Sequence, residues 1–368
     1  MGIADDLVGR TLQGRGRNPN RWHVHEKVAS IQGHSPGFFS VAYKCRNDSG
    51  TEAFLKASDL SKVLSSNPND TMKLLLDAAQ AHNFERDILE HCRGNRMDRV
   101  VTALDFGNEN VVHEGNTDFL FFLVFELADG DLRRRITQRQ KIDLIWTTSA
   151  LHEYAVAVSQ LHNGSVFHND IKPANALVFG NGGQKIADLG RATTPLMAVA
   201  HDYGQCVGDM RFAAPEQLYM LRTPTQHHER FEFYRAGDLY NLGSLAHYLL
   251  VGTSMTQEIV SRLKPEFRPP SSAGGWGDYV DLVLPYWQTE LGQILQEARS
   301  VTEEFKDDSS RQQIELIVTM IGELCEPDWK RRGDRLQIGK ANQYDIARYI
   351  SRLDLARTKV LIASKYAK

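Results

Sequence analysis

The mainly apolar and aromatic stretches FFSVAYKC (38–45) and EAFLKA (52–57) read as strands. The turn-rich RNDSGT between them predicts a hairpin. SSNPNDT then breaks the chain. In the next stretch, 71–92, Leu74, Leu75, Ala78, Ile88 and Leu89 recur at helical spacing, and Asp70 is available as a cap. VVTALDFG and DFLFFLVFEL read as two more strands around HEGNT. From about Asp131 the periodicity turns helical. LHEYAVAVSQLHNG predicts an amphipathic helix ending at Gly164, and DLYNLGSLAHYLLVG predicts another. Two short strands, ALVFG and KIADLG, meet at an NGG turn between these helices. The rest, through 284–298, 312–325 and 345–363, is helical with polar breaks.

The pattern therefore predicts a small strand-rich half followed by a larger helical half. Four segments are expected: a flexible stretch at 1–21, a strand-rich lobe at 22–127, a helical lobe at 128–334 and a helical extension at 335–368. In the extension, Ile346, Ile350, Leu353 and Val360 sit at near-helical spacing, which predicts packing on the helical lobe or on a partner, with the helical lobe preferred.

Composition narrows the function classes. Of 368 residues, 42% are hydrophobic and 24% charged, ordinary values for a globular chain. A net charge of −3 gives no reason to expect nucleic acid or an anionic membrane as partner. FLFFLVFEL (119–127) is too short to span a bilayer. The N-terminal MGIADDLVGR lacks the apolar core of a signal peptide, and Asp6 stands where a myristoylation motif needs Ser or Thr. Cys45, Cys92, Cys206 and Cys325 are scattered, without metal or disulfide spacing. A cytoplasmic protein is the expectation.

The candidate chemistry sits in VFHNDIKPANALV (166–178), which puts His, Asn, Asp, Lys and Asn between two apolar runs. Pro173 stops a helix there, so the stretch predicts a short shaped loop held by rigid elements.

With the flanking motifs, this loop resembles the catalytic loop of the eukaryotic-type (Hanks-type) serine/threonine protein kinases. Asp188-Leu189-Gly190 is similar to their D-F-G, and Ala214-Pro215-Glu216 to A-P-E. The helix beginning at Asp238 resembles that of their large lobe. Lys56 stands where the third-strand lysine belongs, and Glu85 where its helix partner belongs. VFELADGDL (124–132) is similar to the inter-lobe hinge. The resemblance implies an α+β, two-lobed fold. It also implies transfer of the γ-phosphoryl group of ATP to Ser/Thr hydroxyls of protein substrates, the kinase itself included, with Mg²⁺ required.

By the same resemblance, Asp170 orients the attacking hydroxyl and Lys172 steadies the γ-phosphate. Asn175 and Asp188 hold Mg²⁺. Lys56 grips the α/β-phosphates, with Glu85 placing it. Gly37, Val41, Glu126, Ala128 and Asp131 would border the nucleotide. His168, Glu216 and Asp238 are expected to be architectural.

Several positions depart from the family pattern. Aligned on Val41, the glycine-loop positions hold His34, Pro36 and Phe39. Phe54 replaces the Ala expected over the adenine. Asn169 replaces the Arg of H-R-D, so Thr193 or Thr194, if phosphorylated, would lack the usual cationic partner, and activity is expected without that modification. Asp209 replaces the Thr that follows Gly208. The stretches 217–237 and 264–310 look long enough for docking insertions or solvent-facing padding. Two other readings stay open: a pseudokinase used as a binding module, supported by these departures, and a small-molecule kinase sharing a related loop.

Overall fold

The computed structural model describes residues 3–28, 40–58, 71–113, 116–138, 141–180, 183–197, 208–219, 224, 226–269, 280–305 and 307–366. These fall into two compact units. The first holds the chain up to Asp129 together with Asp188–Gly190. The second holds Gly130–Ala187, Arg191–Leu196 and the remainder. The first is built on a sheet and the second mainly on helices, as expected of an α+β chain.

The sheet of the first unit contains β1 (Thr11–Gln13), β2 (Arg21–Lys27), β3 (Ser40–Asn47), β4 (Glu52–Ser58), β5 (Ala103–His113) and β6 (Asn116–Glu126), and one helix, α1 (Thr71–Gly94), accompanies it. Strand order is β1-β2-β3-β4-β6-β5, all pairs antiparallel. The β3–β4 hairpin turns as its polar residues predict. The Asn47 side chain accepts from the Ser49 and Thr51 amides, and Gly50 takes a positive φ that costs glycine little.

One face of the sheet buries Leu12, Trp22, Val24, Val41, Tyr43, Cys45, Leu55, Phe122 and Val124 together. The sheet also curls upon itself. Beyond β1, the Arg15 amide donates to Phe106 O at 2.7 Å, tying one edge to β5 at the other. Asp105, almost fully buried, fastens this closure: its carboxylate accepts from the amides of Gly16 and Asn20 and from Trp22 Nε1 at 2.8–2.9 Å. A Cβ at Gly14 would collide with that carboxylate, so glycine is required by the close approach. The stretch expected to be flexible, 1–21, thus contains a strand, and Ala4, Leu7 and Leu12 in it are buried. Its Gly, Arg and Asn content reflects the tight turns of the closure, not freedom of the backbone.

The second unit begins with β7 (Gly130–Asp131), α2 (Leu132–Thr137) and α3 (Leu144–Asn163). β8 (Ala176–Val178) and β9 (Gln184–Ile186) follow, then α4 (Pro215–Leu218), α5 (His227–Val251), α6 (Met255–Arg262), α7 (Val280–Arg299), α8 (Asp308–Leu324) and α9 (Ala347–Tyr366). β7, β8 and β9 form a small second sheet. Helix α3 stops at Gly164, as its sequence predicts. Among the described residues, no helix is long and apolar enough to cross a membrane.

Much of the two stretches read as insertions is core. His227–Val251 is one helix that buries Phe233 and Tyr234, and α7 buries Val283, Trp287, Leu291 and Ile294. The C-terminal helix packs within the chain, as expected. Ile346, Tyr349 and Leu353 are buried, and Gln313 Nε2 of α8 donates to Ala356 O at 2.9 Å.

Candidate active site

In the first unit, Lys56 lies on β4 with Ala53, Leu55 and Ala57 buried on the opposite face. Its Nζ is 2.9 Å from Glu85 Oε1 and 3.0 Å from Asp188 Oδ1, so one ammonium serves two carboxylates. Ile88 and Leu89 are buried beside Glu85 on α1. Burial by itself would lower the Lys56 pKa. The charges of Asp188 and Glu85 outweigh it and hold the amine above the ordinary lysine value. Burial pushes the Glu85 carboxyl up, opposed by Lys56 and reinforced by Asp188. Asp188 adopts φ 67°, a left-handed conformation that is uncommon outside glycine.

The register of β3 against β4 changes one expectation. Val41 pairs with Ala57 and belongs to the buried face, with Tyr43 and Cys45. Ala42 pairs with Lys56, and Lys44 with Phe54. Side chains alternate along a strand, so the residues sharing the Lys56 face are Ala42, Lys44 and the half-buried Phe54, not Val41. Gly37 lies outside the described residues, as do His34, Pro36 and Phe39.

Glu126, at the end of β6, accepts from the Thr102 amide at 2.7 Å, and Ala128 is half-buried in the following loop. Asp131, in the second unit, has its carboxylate engaged: it caps α2 at the Arg134 amide and pairs with Arg133 at 2.6 Å. That is a helix-start role, which the hinge resemblance did not anticipate.

In the second unit, the loop 166–175 is fixed from below by Asp238. This fully buried carboxylate accepts from the amides of His168 and Asn169, both at 2.8 Å, and lies 2.9 Å from His162 Nε2. His168 is fully buried. Its Nε2 donates to Ala187 O and its Nδ1 accepts from the Asp170 amide. Both ring nitrogens are thereby committed, which suits an architectural residue and not a base. Asn169 takes φ 61°, a region asparagine tolerates better than most residues. Its amide nitrogen donates to Arg191 O and to Thr193 Oγ1. Thr193 and Thr194 are both buried.

Asp170 is held on each oxygen. Oδ1 accepts the Asp209 amide at 2.8 Å. Oδ2 is 2.8 Å from Lys172 Nζ and 3.1 Å from Asn175 Nδ2. Asn175 Nδ2 also reaches the Asp170 carbonyl at 2.9 Å, which turns its Oδ1 the other way. Gly208 permits this arrangement, since a Cβ there would collide with Asn169 O. The Asp209 carboxylate, 5% exposed, lies 3.7 Å from Lys172 and is clamped by Arg211. Burial would raise its pKa. Hydrogen bonds from Arg211, with the charges of Lys172 and Arg211, hold it below the usual carboxylate value instead.

Glu216 is paired in both its oxygens with the fully buried Arg332, at 2.6 and 2.9 Å. Arg332, Arg211 and Ala42 are neighbours of predicted site residues that the sequence did not bring forward. Arg332 stands 116 positions from its partner, and no local signal marks it. Ala42 could have been found by counting alternate positions through the RNDSGT turn from Lys56.

The sequence–function comparisons agree with this arrangement. A family model described as the protein kinase domain matches residues 35–268. Aurora kinase C of Mus musculus is 30% identical over 190 residues, covering 48% of this chain and 64% of that protein. Serine/threonine-protein kinase PknA of Mycobacterium tuberculosis is 27% identical over 155 residues, 42% of this chain and 33% of the relative. Serine/threonine-protein kinase PrkC of Bacillus subtilis is 25% identical over 182 residues, 49% and 26%. The match thus spans less than two thirds of each of these relatives.

Proposed function

We propose, on the footing that this chain belongs to the protein kinase domain family, that it transfers the γ-phosphoryl group of ATP to Ser or Thr hydroxyls of protein substrates. The observation that carries this reading is the cradle of Asp170, whose two carboxylate oxygens are oriented by a backbone amide, an ammonium and a side-chain amide. A group held in this way is fixed in direction before a substrate arrives, which is what positioning catalysis requires.

Asp170 accepts the proton of the substrate hydroxyl as its oxygen bonds to the γ-phosphorus and the bond to the β,γ-bridging oxygen breaks, releasing ADP. Lys172 balances charge on the transferring group. Lys56, kept protonated by its two carboxylates, binds the α/β-phosphates, and Glu85 holds it in place. Phe54 and Ala42 lie on the face of Lys56, and Ala42 takes over the nucleotide-bordering role expected of Val41.

The donor set fits Mg²⁺. Asn175 has its nitrogen spent on Asp170, so oxygen is the donor left to a cation, and Asp188 is 45% exposed. Among the described residues, no group of three or more His, Cys, Asp or Glu is arranged to hold a metal. Asn175, in the second unit, and Asp188, in the first, would each offer oxygen to the ion, the donor type that suits Mg²⁺. When bound, Mg²⁺ neutralises charge on the phosphates. The serine/threonine assignment is supported by the Asp-x-Lys-Pro-x-Asn form of the loop and by the names of the relatives.

The test is incubation of the purified protein with γ-labelled ATP, Mg²⁺ and generic protein substrates, beside Asp170→Asn and Lys56→Ala. The wild type is expected to label Ser or Thr, with Asp170→Asn reduced by about 10²–10⁴-fold. Equal label from wild type and Asp170→Asn would overturn the reading. So would label appearing on a metabolite and never on protein.

A further inference from the structure

Asp209 places a second buried carboxylate next to Asp170, and that arrangement demands compensation. Two cations share the two acids. Lys172 Nζ is 2.8 Å from Asp170 Oδ2 but 3.7 Å from Asp209 Oδ2, so it sides with Asp170. Arg211 takes Asp209: Nε reaches Oδ1 at 2.9 Å, Nη2 reaches Oδ2 at 2.6 Å, and its own backbone amide reaches Oδ1 at 3.0 Å. The guanidinium fork matches both carboxylate oxygens, a fit a lysine cannot reproduce. The Arg211 backbone is anchored in turn, its carbonyl accepting Ser254 Oγ at 2.6 Å at the start of α6.

We infer that Arg211 is a positioning residue for phosphoryl transfer: by occupying the Asp209 carboxylate, it reserves Lys172 for Asp170. The inference rests on the proposed kinase reading and adds to it a residue outside the recognised motifs. Its logic is competition. The 0.9 Å difference between 2.8 and 3.7 Å decides which acid Lys172 serves, and it persists because Arg211 satisfies the other acid. Without Arg211, the Asp209 carboxylate is left with Lys172 as the ammonium already facing it. Lys172 then swings towards Asp209, and Asp170 loses the cation that fixes its Oδ2. The Asp209 backbone amide, which holds Asp170 Oδ1, is not altered by any side-chain exchange at 209 or 211. The liability is therefore the carboxylate of Asp209 alone.

A role of this kind has a signature that a stabilising contact lacks. Removing the carboxylate should repair the damage caused by removing the arginine. Arg211→Ala is expected to lower kcat by about 10–100-fold, the scale of a roughly 1 Å misplacement, with a smaller change in KM for ATP. Arg211→Lys should recover part of the loss. The double variant Asp209→Asn/Arg211→Ala should be more active than Arg211→Ala by about 5-fold or more, a non-additive coupling between neighbours. In a crystal structure of Arg211→Ala, Lys172 Nζ should lie within hydrogen-bonding distance of Asp209 and away from Asp170. An Arg211→Ala kcat within 2-fold of wild type overturns the inference, as does a double variant no better than the single. Lys172 still seated on Asp170 in the Arg211→Ala structure does the same. If the wild type itself transfers no phosphate, the functional reading falls, and the position of Lys172 in that structure alone decides the inference.

Discussion

Ala42 stands directly across from Lys56 in the β3–β4 ladder, while its neighbour Val41 stands across from Ala57. One residue of register separates a side chain on the Lys56 face from one in the buried interior of the sheet, because alternate residues point opposite ways. The two positions should therefore fail differently. Val41→Ala removes buried methyl groups and is expected to cost about 1–2 kcal/mol of stability with the KM for ATP unchanged. Ala42→Leu adds bulk beside Lys56 and should raise the KM for ATP several-fold with little change in stability. Urea unfolding and steady-state kinetics on both variants check this. The reverse pattern would place the nucleotide on the other face.

Thr193 and Thr194 are buried, and the Thr193 hydroxyl receives the Asn169 amide. A kinase acting on them would first have to pull both from the interior. The expected outcome for Thr193→Ala/Thr194→Ala is a folded protein with phosphoryl transfer within a few-fold of wild type. A loss of about 1 kcal/mol in stability should follow from the missing Asn169 bond. Loss of transfer in the folded double variant, with phosphate mapped to either threonine in the wild type, would refute it.

His82 is buried on α1, stacked on Phe121 with ring centroids 4.9 Å apart. Burial first, then the charges of Arg86 and Lys56, hold its pKa down to about 4, against a slight upward pull from Asp87. In the unfolded chain it titrates near the ordinary histidine value of about 6.5. Above that value both states are neutral, and His82 contributes no pH dependence. As the pH falls towards 4, the unfolded state takes up the proton first, and stability is lost by an amount on the order of 3 kcal/mol. His82→Phe keeps the stack and removes the proton site. The difference in unfolding midpoint between wild type and variant should widen in favour of the variant from pH 6.5 to pH 4.5. A constant difference would show that His82 does not carry this dependence.

Where the sequence was legible, the signal was local. The loop 166–175 could be read because its chemistry is concentrated in ten positions, and the α1 helix because its apolar positions recur at one spacing. Long-range choices left no such mark. Asp105 meets residues near the N-terminus, and Arg332 meets Glu216, through pairings fixed only once each unit has folded. Glycine and arginine in 1–21 resembled a loose tail because the turns that use them are invisible until β5 is in place. The face that Val41 takes is set by the hairpin register, which the replaced glycine positions do not mark and counting back from Lys56 recovers.

The closure of the sheet by Asp105 also says where this protein can be divided. A chain begun after β2 would lose Leu12, Trp22 and Val24 from the interior. It would also strip the buried Asp105 carboxylate of its Gly16, Asn20 and Trp22 donors. A chain ended after α7 would strand Glu216 as a buried anion, since Arg332 would be gone. The segments outside the catalytic motifs are thus part of the folding unit itself, and the smallest autonomous piece of this protein is larger than the piece that carries its chemistry.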